Sequence, residues 1–429
     1  MIQTTSRSRF AASFFVAVCY SLLIGAMAAA VVWAFMRLVN LVTGWLWTDL
    51  AEVAGWWFYP VIVCALGGLV IGLGQRFWGS LPAGMDEVLG EVKATGRYSY
   101  AGLWKMLLAA FLPLVLGGSI GPEAGLAGVI AALCTWAGDR LKRAGLASEG
   151  FAEAGTAAAL TAIFNAPLFG LLAPVEGGVG EAGRNQPTVL PKSAKMTLYL
   201  AAIGGALLAM YLLNEAVGGA NGLPRFGQTT WHPSDVLKAL PLVLIGVAAG
   251  WIFYAASKLL GSLASRMPGK NVLKAVIAGV VLGLAGAWLP LAMFSGESQL
   301  TVLMSDFATI GAGALIVISV VKLVLTPLCI SFGWRGGHIF PVIFAGVGLG
   351  YAASLLTGLD PVLCVTVVAT ATSAAIMRRP LLTVAIMLLC FPAVNMVFMI
   401  VAAVVAAAIP LPGPICPVAA RDSSSPASN

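Results

Sequence analysis

The sequence predicts an all-α polytopic membrane protein made of two repeats of full-length and broken helices. Three observations lead there. The first is composition: 60% of the 429 residues are hydrophobic and only 10% are charged, whereas an ordinary soluble domain is about a quarter charged. The second is length: apolar runs long enough to cross a bilayer recur at 10–36, 236–254, 272–293 and 311–330. The third is punctuation: two glycine-rich segments ending near a proline, Gly117 to Gly125 and Gly333 to Pro341, interrupt apolar stretches in corresponding places.

In chain order, residues 10–37 read as a first helix. It is too long for a signal-peptide core and has no small-residue cleavage site at its end, so it is expected to be retained. A second helix is expected from about Trp56 to Gln75, with Trp56, Trp57 and Tyr59 as an interfacial aromatic belt. The turn-rich loop Gly79 to Gly84 leads to a half-helix, Met85 to Lys93, whose Asp86 and Glu87 suit a helix N-terminus. Residues 101–116 and 122–138 flank the first break. Gly155 to Phe164 and Leu168 to Val175 are short helices split by Asn165-Ala166-Pro167. A polar loop, Glu176 to Gln186, precedes a span from Lys195 to Leu213.

The second half follows the same plan. After the loop Asn214 to Pro233 come two spans, a short segment opened by Gly296-Glu297-Ser298, and the span Gly311 to Ile330. The second break precedes an apolar helix. Leu363 to Met377, Leu381 to Cys390 and Ala393 to Ala408 complete the membrane part. Pro122 and Pro341 are 219 residues apart, and Pro167 and Pro380 are 213. Glycine and proline are common in membrane helices, which accounts for each break but not for a shared offset. The chain therefore reads as a single transmembrane domain, 1–429, with repeat one at about 10–217, repeat two at about 235–410 and a Ser/Pro-rich tail, 411–429, expected to be disordered. Repeats of interrupted helices mark transporters and channels, with the site where the breaks meet.

Each break has a chemistry of its own. Four glycines and a proline within Gly117 to Gly125 end one helix and start another at Pro122. The first-turn amides of the new helix then point into open backbone, with the positive end of a helix dipole behind them, an arrangement that binds anions. The competing reading is a tight helix-packing hinge. Irregular backbone at membrane depth is tolerated only where protein buries it or where it lines a cavity.

The net charge of +7 does not point to nucleic acid, because the basic residues sit in loops beside apolar runs: Arg7 and Arg9, Arg140 to Arg143, Arg266 to Lys274, Arg378 and Arg379. Such flanks orient helices and place the N-terminus on the cytoplasmic side of a cell membrane. The seven cysteines lie singly, without a CxxC pair, and two histidines cannot build a metal site. HExxH does not occur, and with only two histidines no enzyme, metal or cofactor is predicted.

Gly118-Ser119-Ile120-Gly121-Pro122 resembles the GxxGP loop of the CLC chloride channel and chloride/proton antiporter superfamily. Gly336-Gly337-His338-Ile339-Phe340-Pro341 resembles its GGxFxP signature, with Ile339 where phenylalanine is usual. Phe164-Asn165-Ala166-Pro167-Leu168-Phe169-Gly170 is similar to its FNAPLAG helix pair, and Gly84-Met85-Asp86-Glu87 matches its GSGIPE loop loosely. The resemblance covers roughly residues 10–410 and suggests a divergent bacterial-type branch. It implies a CLC-like fold with inverted-topology repeats, a homodimer with a pore in each subunit, and chloride as the bound substrate. Carried over by position, the anion-binding residues are Ser119, Ile120, Gly121, His338 and Ile339.

Three departures weigh on the mechanism. The gating glutamate of the family falls on Ile120, and its internal proton-transfer glutamate falls on Gly177, with Glu176 one residue away. Its central serine aligns with Ala83, near Ser80, and no tyrosine follows Tyr351 to serve as the family's chloride-binding tyrosine. The expected function is therefore passive transport of chloride or a similar small anion. The alternative is chloride/proton antiport with Glu123 as a displaced gate, against which stands a plain helix cap. Glu176 is a candidate proton relay and His338 a candidate pH sensor. Arg335 is a candidate for drawing anions to the mouth.

Overall fold

The computed structural model describes residues 2–79, 81–143, 151–176, 192–218, 223–229 and 235–410. They are nearly all helical. In chain order the helices are α1 (Ile2–Gly44), α2 (Leu50–Ala54), α3 (Tyr59–Trp78), α4 (Met85–Thr95), α5 (Leu103–Val115), α6 (Glu123–Arg143), α7 (Phe151–Phe164), α8 (Pro167–Glu176), α9 (Lys192–Val217), α10 (Asp235–Ser265), α11 (Asn271–Trp288), α12 (Gln299–Ile310), α13 (Ala312–Ser331), α14 (Ile339–Thr357), α15 (Pro361–Met377), α16 (Pro380–Cys390) and α17 (Met396–Ala408). Among the described residues, seven helical stretches are long and apolar enough to cross a membrane. The order from α3 to α9 recurs from α11 to α17: a span, a short segment, a helix into a break, a helix out of it, a broken pair and a final helix.

The first helix differs most from expectation. It does not stop near residue 37. It runs to Gly44, whose backbone stays right-handed (φ −58°, ψ −51°), passes through a π-turn at Trp45–Asp49, and ends after Ala54. The stop is Gly55, left-handed at φ 63°, whose N–H donates to Ala51 O. The next helix then begins at Tyr59, with Pro60 in its first turn. Tyr59 leaves the predicted aromatic belt: it is buried, and its hydroxyl donates to Leu46 O at 2.6 Å. Trp56 and Trp57 remain exposed.

The chain forms two compact units from discontinuous stretches. The first comprises Met1–Leu41, Ala83–Leu108 and Glu123–Gly222. It packs by small residues, as apolar helices must when no polar surface separates them from lipid. A Cβ on Gly25 of α1 would run into Ala202 O of α9, one on Gly205 of α9 into Leu22 O, and one on Gly170 of α8 into the Thr161 hydroxyl of α7. Trp33 of α1 donates its indole N–H to Asn214 Oδ1 of α9 at 3.0 Å. Glu153, in the first turn of α7, accepts from both Lys195 (2.8 Å) and the Tyr199 hydroxyl of α9.

The second unit comprises Val42–Pro82, Ala109–Pro122 and Leu223–Asn429. Its α3 and α11 cross through mutual glycine contacts. Gly72 faces Val272 Cα, where an added Cβ would lie 2.6 Å away, and Gly283 faces Val61 Cα at 2.5 Å. Gly346 and Gly350 of α14 face Ala369 and Val365 of α15 in the same way. The α10, α14, α15 and α17 helices enclose an apolar core around Val247, Leu323, Val368 and Ala402. Both glycine-rich breaks, before Pro122 and before His338, lie inside this unit.

Candidate anion site

The first break begins as a helix end. Gly117 is left-handed at φ 91°, and the N–H of Gly118 reaches back five residues to Pro113 O at 2.8 Å. The second break begins identically: Gly333 has φ 103°, and the N–H of Trp334 reaches Cys329 O at 2.8 Å. This is the Schellman pattern, in which glycine takes the conformation a side chain resists and the orphan carbonyl gains a donor. Four residues on, the segments meet. The N–H of Gly121 donates to Gly337 O, and that of Gly337 donates to Gly121 O, each at 2.8 Å, as one isolated antiparallel bridge.

These features fix the register of the repeat. Gly117 with Gly333, Gly118 with Trp334, Gly121 with Gly337, and the helix starts Glu123 and Ile339 are all 216 residues apart. Pairing the prolines at 219 was therefore off by three. Pro122 stands immediately before α6, whereas Pro341 lies inside the first turn of α14. Proline fits either place, because no first-turn amide has an earlier carbonyl to bond. The broken pairs keep the predicted 213: Asn165 and Arg378 both take positive φ, 54° and 57°, just before Pro167 of α8 and Pro380 of α16.

The predicted site residues occupy these positions. Ser119, Ile120 and Gly121 are buried in the first break. The N–H of Ile120 turns back to Gly118 O at 2.8 Å, so the amides of Ile120 and Gly121 are both held by backbone carbonyls. Ser119 Oγ lies 3.3 Å from Thr326 Oγ1 of α13. The Ile120 side chain is fully buried against Gly336, where an added Cβ would come within 2.5 Å of Ile120 Cδ1. His338 is the N-cap of α14, half-buried, its ring centred 5.8 Å from that of Phe253. Ile339, 2% exposed, is the first residue of α14, so the dipole of a 19-residue helix ends here.

Glu123 opens α6 in the first unit and is 1% exposed. Glu176 ends α8; its side chain, together with Gly177, Ser80 and the 411–429 tail, lies outside the described residues. Tyr351 is buried in α14, stacked on Phe307 at 4.3 Å.

Two residues not expected from the sequence frame the breaks. Trp334 is fully buried and donates its indole N–H to Ala275 O at 2.8 Å. Added Cβ atoms on Gly67, Gly118 and Gly279 would each stand 3.2 Å from its ring, so three glycines make room for it. Lys322 of α13 is 1% exposed. Its Nζ donates to the carbonyls of Ala292 (3.2 Å), Met293 (2.8 Å) and Phe294 (3.0 Å) and sits 4.6 Å from the centre of the Phe344 ring. The signal was visible: Lys322 is the only charged residue between Gly311 and Ile330, and ionisable groups at membrane depth merit a functional reading.

The sequence profile described as voltage gated chloride channel matches residues 66–410. The chain belongs to this family, CLC. Its members are transport proteins, and this one is a multi-span membrane protein. Relatives in Salmonella paratyphi A and Salmonella typhimurium, provisionally named ion-transport protein YfeO, are 29% identical over 339 residues, which is 77% of this chain and 78% of theirs. The fold is that of a slow cyanobacterial Cl−/H+ antiporter, at a TM-score of 0.75 and 17% identity over 92% of this chain and 93% of the other. A CLC-type fluoride/proton antiporter superposes at 0.72, with 19% identity over 92% and 94%.

Proposed function

We propose that this CLC protein carries chloride, or a small anion of similar size, passively across a cell membrane. The observation behind this reading is Ile120. It occupies the position of the family's gating carboxylate, fully buried against Gly336. An apolar side chain neither competes with an anion for amides nor carries a proton. In this reading the anion meets the break at Ser119, Ile120 and Gly121 and the start of α14 at His338 and Ile339, drawn by the helix dipoles rather than by a cofactor, since the Ile120 and Gly121 amides are taken by the Gly118 and Gly337 carbonyls. The Gly121–Gly337 bridge fixes the two segments at one spacing. We further propose a homodimer with one pore in each subunit and a cytoplasmic N-terminus, following the family's assembly and the basic residues Arg7 and Arg9.

A second reading is favoured by Glu123. It is a carboxylate with 1% exposure in the first turn of α6, two residues after the bridge residue Gly121. If it swings between the anion position and a proton path, the protein is a chloride/proton antiporter, as its slow cyanobacterial structural neighbour is. His338 as a pH sensor and Glu176 as a proton relay belong to that reading.

One experiment separates the two. The purified chain is reconstituted in liposomes loaded with chloride, and chloride efflux and external pH are followed together. Passive transport gives efflux that needs a potassium ionophore for charge balance and moves no stoichiometric protons. A chloride gradient that drives sustained uphill proton movement overturns the passive reading in favour of Glu123.

A further inference from the structure

We infer that Lys322 is a built-in countercharge that sets how tightly the transported anion is held; this rests on the anion-transport reading above. The ammonium has three donors, and three backbone carbonyls take them, those of Ala292, Met293 and Phe294. Its hydrogen bonding is complete, but its charge is not neutralised. Carbonyl dipoles and the Phe344 ring face supply partial negative charge only. Among the described residues no carboxylate forms an ion pair with it. A buried cation with satisfied donors and no fixed partner is a strong attractor for a mobile anion, because the attraction is weakly screened away from water.

Its placement ties that charge to the site. Phe294, whose carbonyl Lys322 holds, donates its own N–H to Gly117 O at 3.2 Å, at the entry to the first break. One helical turn along α13, the Thr326 hydroxyl donates to Lys322 O at 3.0 Å and lies 3.3 Å from Ser119 Oγ within the break. Phe344, under the ammonium, belongs to α14, whose first residue is Ile339. The lysine is thus braced against elements from both breaks. A lysine needed only to pin the 292–294 loop is replaceable by a neutral donor of similar reach; a countercharge is not.

The full-length protein in proteoliposomes decides between these roles. Chloride flux is measured against chloride concentration, giving a half-saturating concentration and a maximal rate, and the reversal potential is measured in a KCl gradient. Lys322→Arg keeps charge and donors. Lys322→Gln keeps donors without charge. Lys322→Met removes both while filling a similar apolar volume, which relieves the burial cost and serves where the glutamine variant does not fold. We expect Lys322→Arg to stay near wild type. We expect Lys322→Gln and Lys322→Met to raise the half-saturating concentration about tenfold, with the maximal rate kept or increased and the anion-over-cation preference reduced. Neutral variants that lose thermal stability but keep wild-type half-saturation and reversal potential overturn the assignment and leave Lys322 as a loop anchor. A folded wild-type protein that moves no anion instead overturns the transport reading itself.

Discussion

Gly121 and Gly337, 216 residues apart, exchange both of their backbone hydrogen bonds at 2.8 Å. The pair joins the two breaks directly, so the spacing between the segment carrying Ser119 and the start of α14 is set by backbone alone. Both glycines are buried. A branched side chain at either position must displace close-packed neighbours or open the bridge. Gly121→Val and Gly337→Val are each expected to lower chloride flux at least about tenfold, the effect of roughly 1.4 kcal/mol, while the protein still elutes as one species in detergent. Wild-type flux in either variant takes the bridge out of the pathway.

Ile120→Glu tests what the missing carboxylate would do. The site is fully buried. At high pH the introduced carboxylate is charged and competes with the anion for the helix start; protonated at low pH, it is neutral and competes less. The variant is expected to carry little chloride at about pH 8 and progressively more as pH falls toward about 5, a step the wild-type Ile120 cannot contribute. Efflux of both proteins across that range is the measurement, and parallel profiles count against Ile120 lying on the path.

The architecture was legible because glycine and proline act locally. The splits before Pro167 and Pro380, and the breaks at Gly117 and Gly333, all appear where the sequence put them. Register was less legible. Proline is tolerated both just before a helix and within its first turn, so aligning Pro122 with Pro341 could not detect a three-residue difference. The extent of α1 was hidden because Gly44 stays helical while Gly55 does not, and one sequence letter does not separate them. The Gly121–Gly337 bridge is a long-range pairing with no local signal. Nor does any local pattern announce that Trp334 fills a notch left by Gly67, Gly118 and Gly279.

That notch yields a stability prediction. Trp334 lies against both α3 and α11 and spends its indole N–H on Ala275 O. Truncation to alanine leaves a large void among residues that cannot collapse without moving two closely crossed helices. Trp334→Ala is expected to cost about 3–5 kcal/mol, and Trp334→Phe less, with loss of one hydrogen bond worth about 1 kcal/mol. Thermal unfolding of the detergent-solubilised protein gives the order wild type, phenylalanine, alanine. An alanine variant as stable as the wild type rules out the ring as the wedge between these elements.

Glu123 calls for the most discriminating test. Its carboxylate is buried and stands at the start of α6, where the helix dipole favours negative charge. As a gate, the charged form takes the place of an anion, and protonation releases it. Flux then rises as pH falls through the carboxylate's folded-state pKa, and Glu123→Gln, neutral at every pH, gives high flux without that rise. As a permanent cap, the same substitution removes a stabilising interaction of about 1 kcal/mol and leaves the pH profile of transport in place. Chloride efflux at several pH values for wild type and Glu123→Gln, with matched melting temperatures, separates the two. A variant that melts earlier yet keeps the wild-type pH response makes Glu123 scaffold. A variant of unchanged stability with high, flat flux makes it the gate and calls for proton-coupled measurements on the wild-type protein.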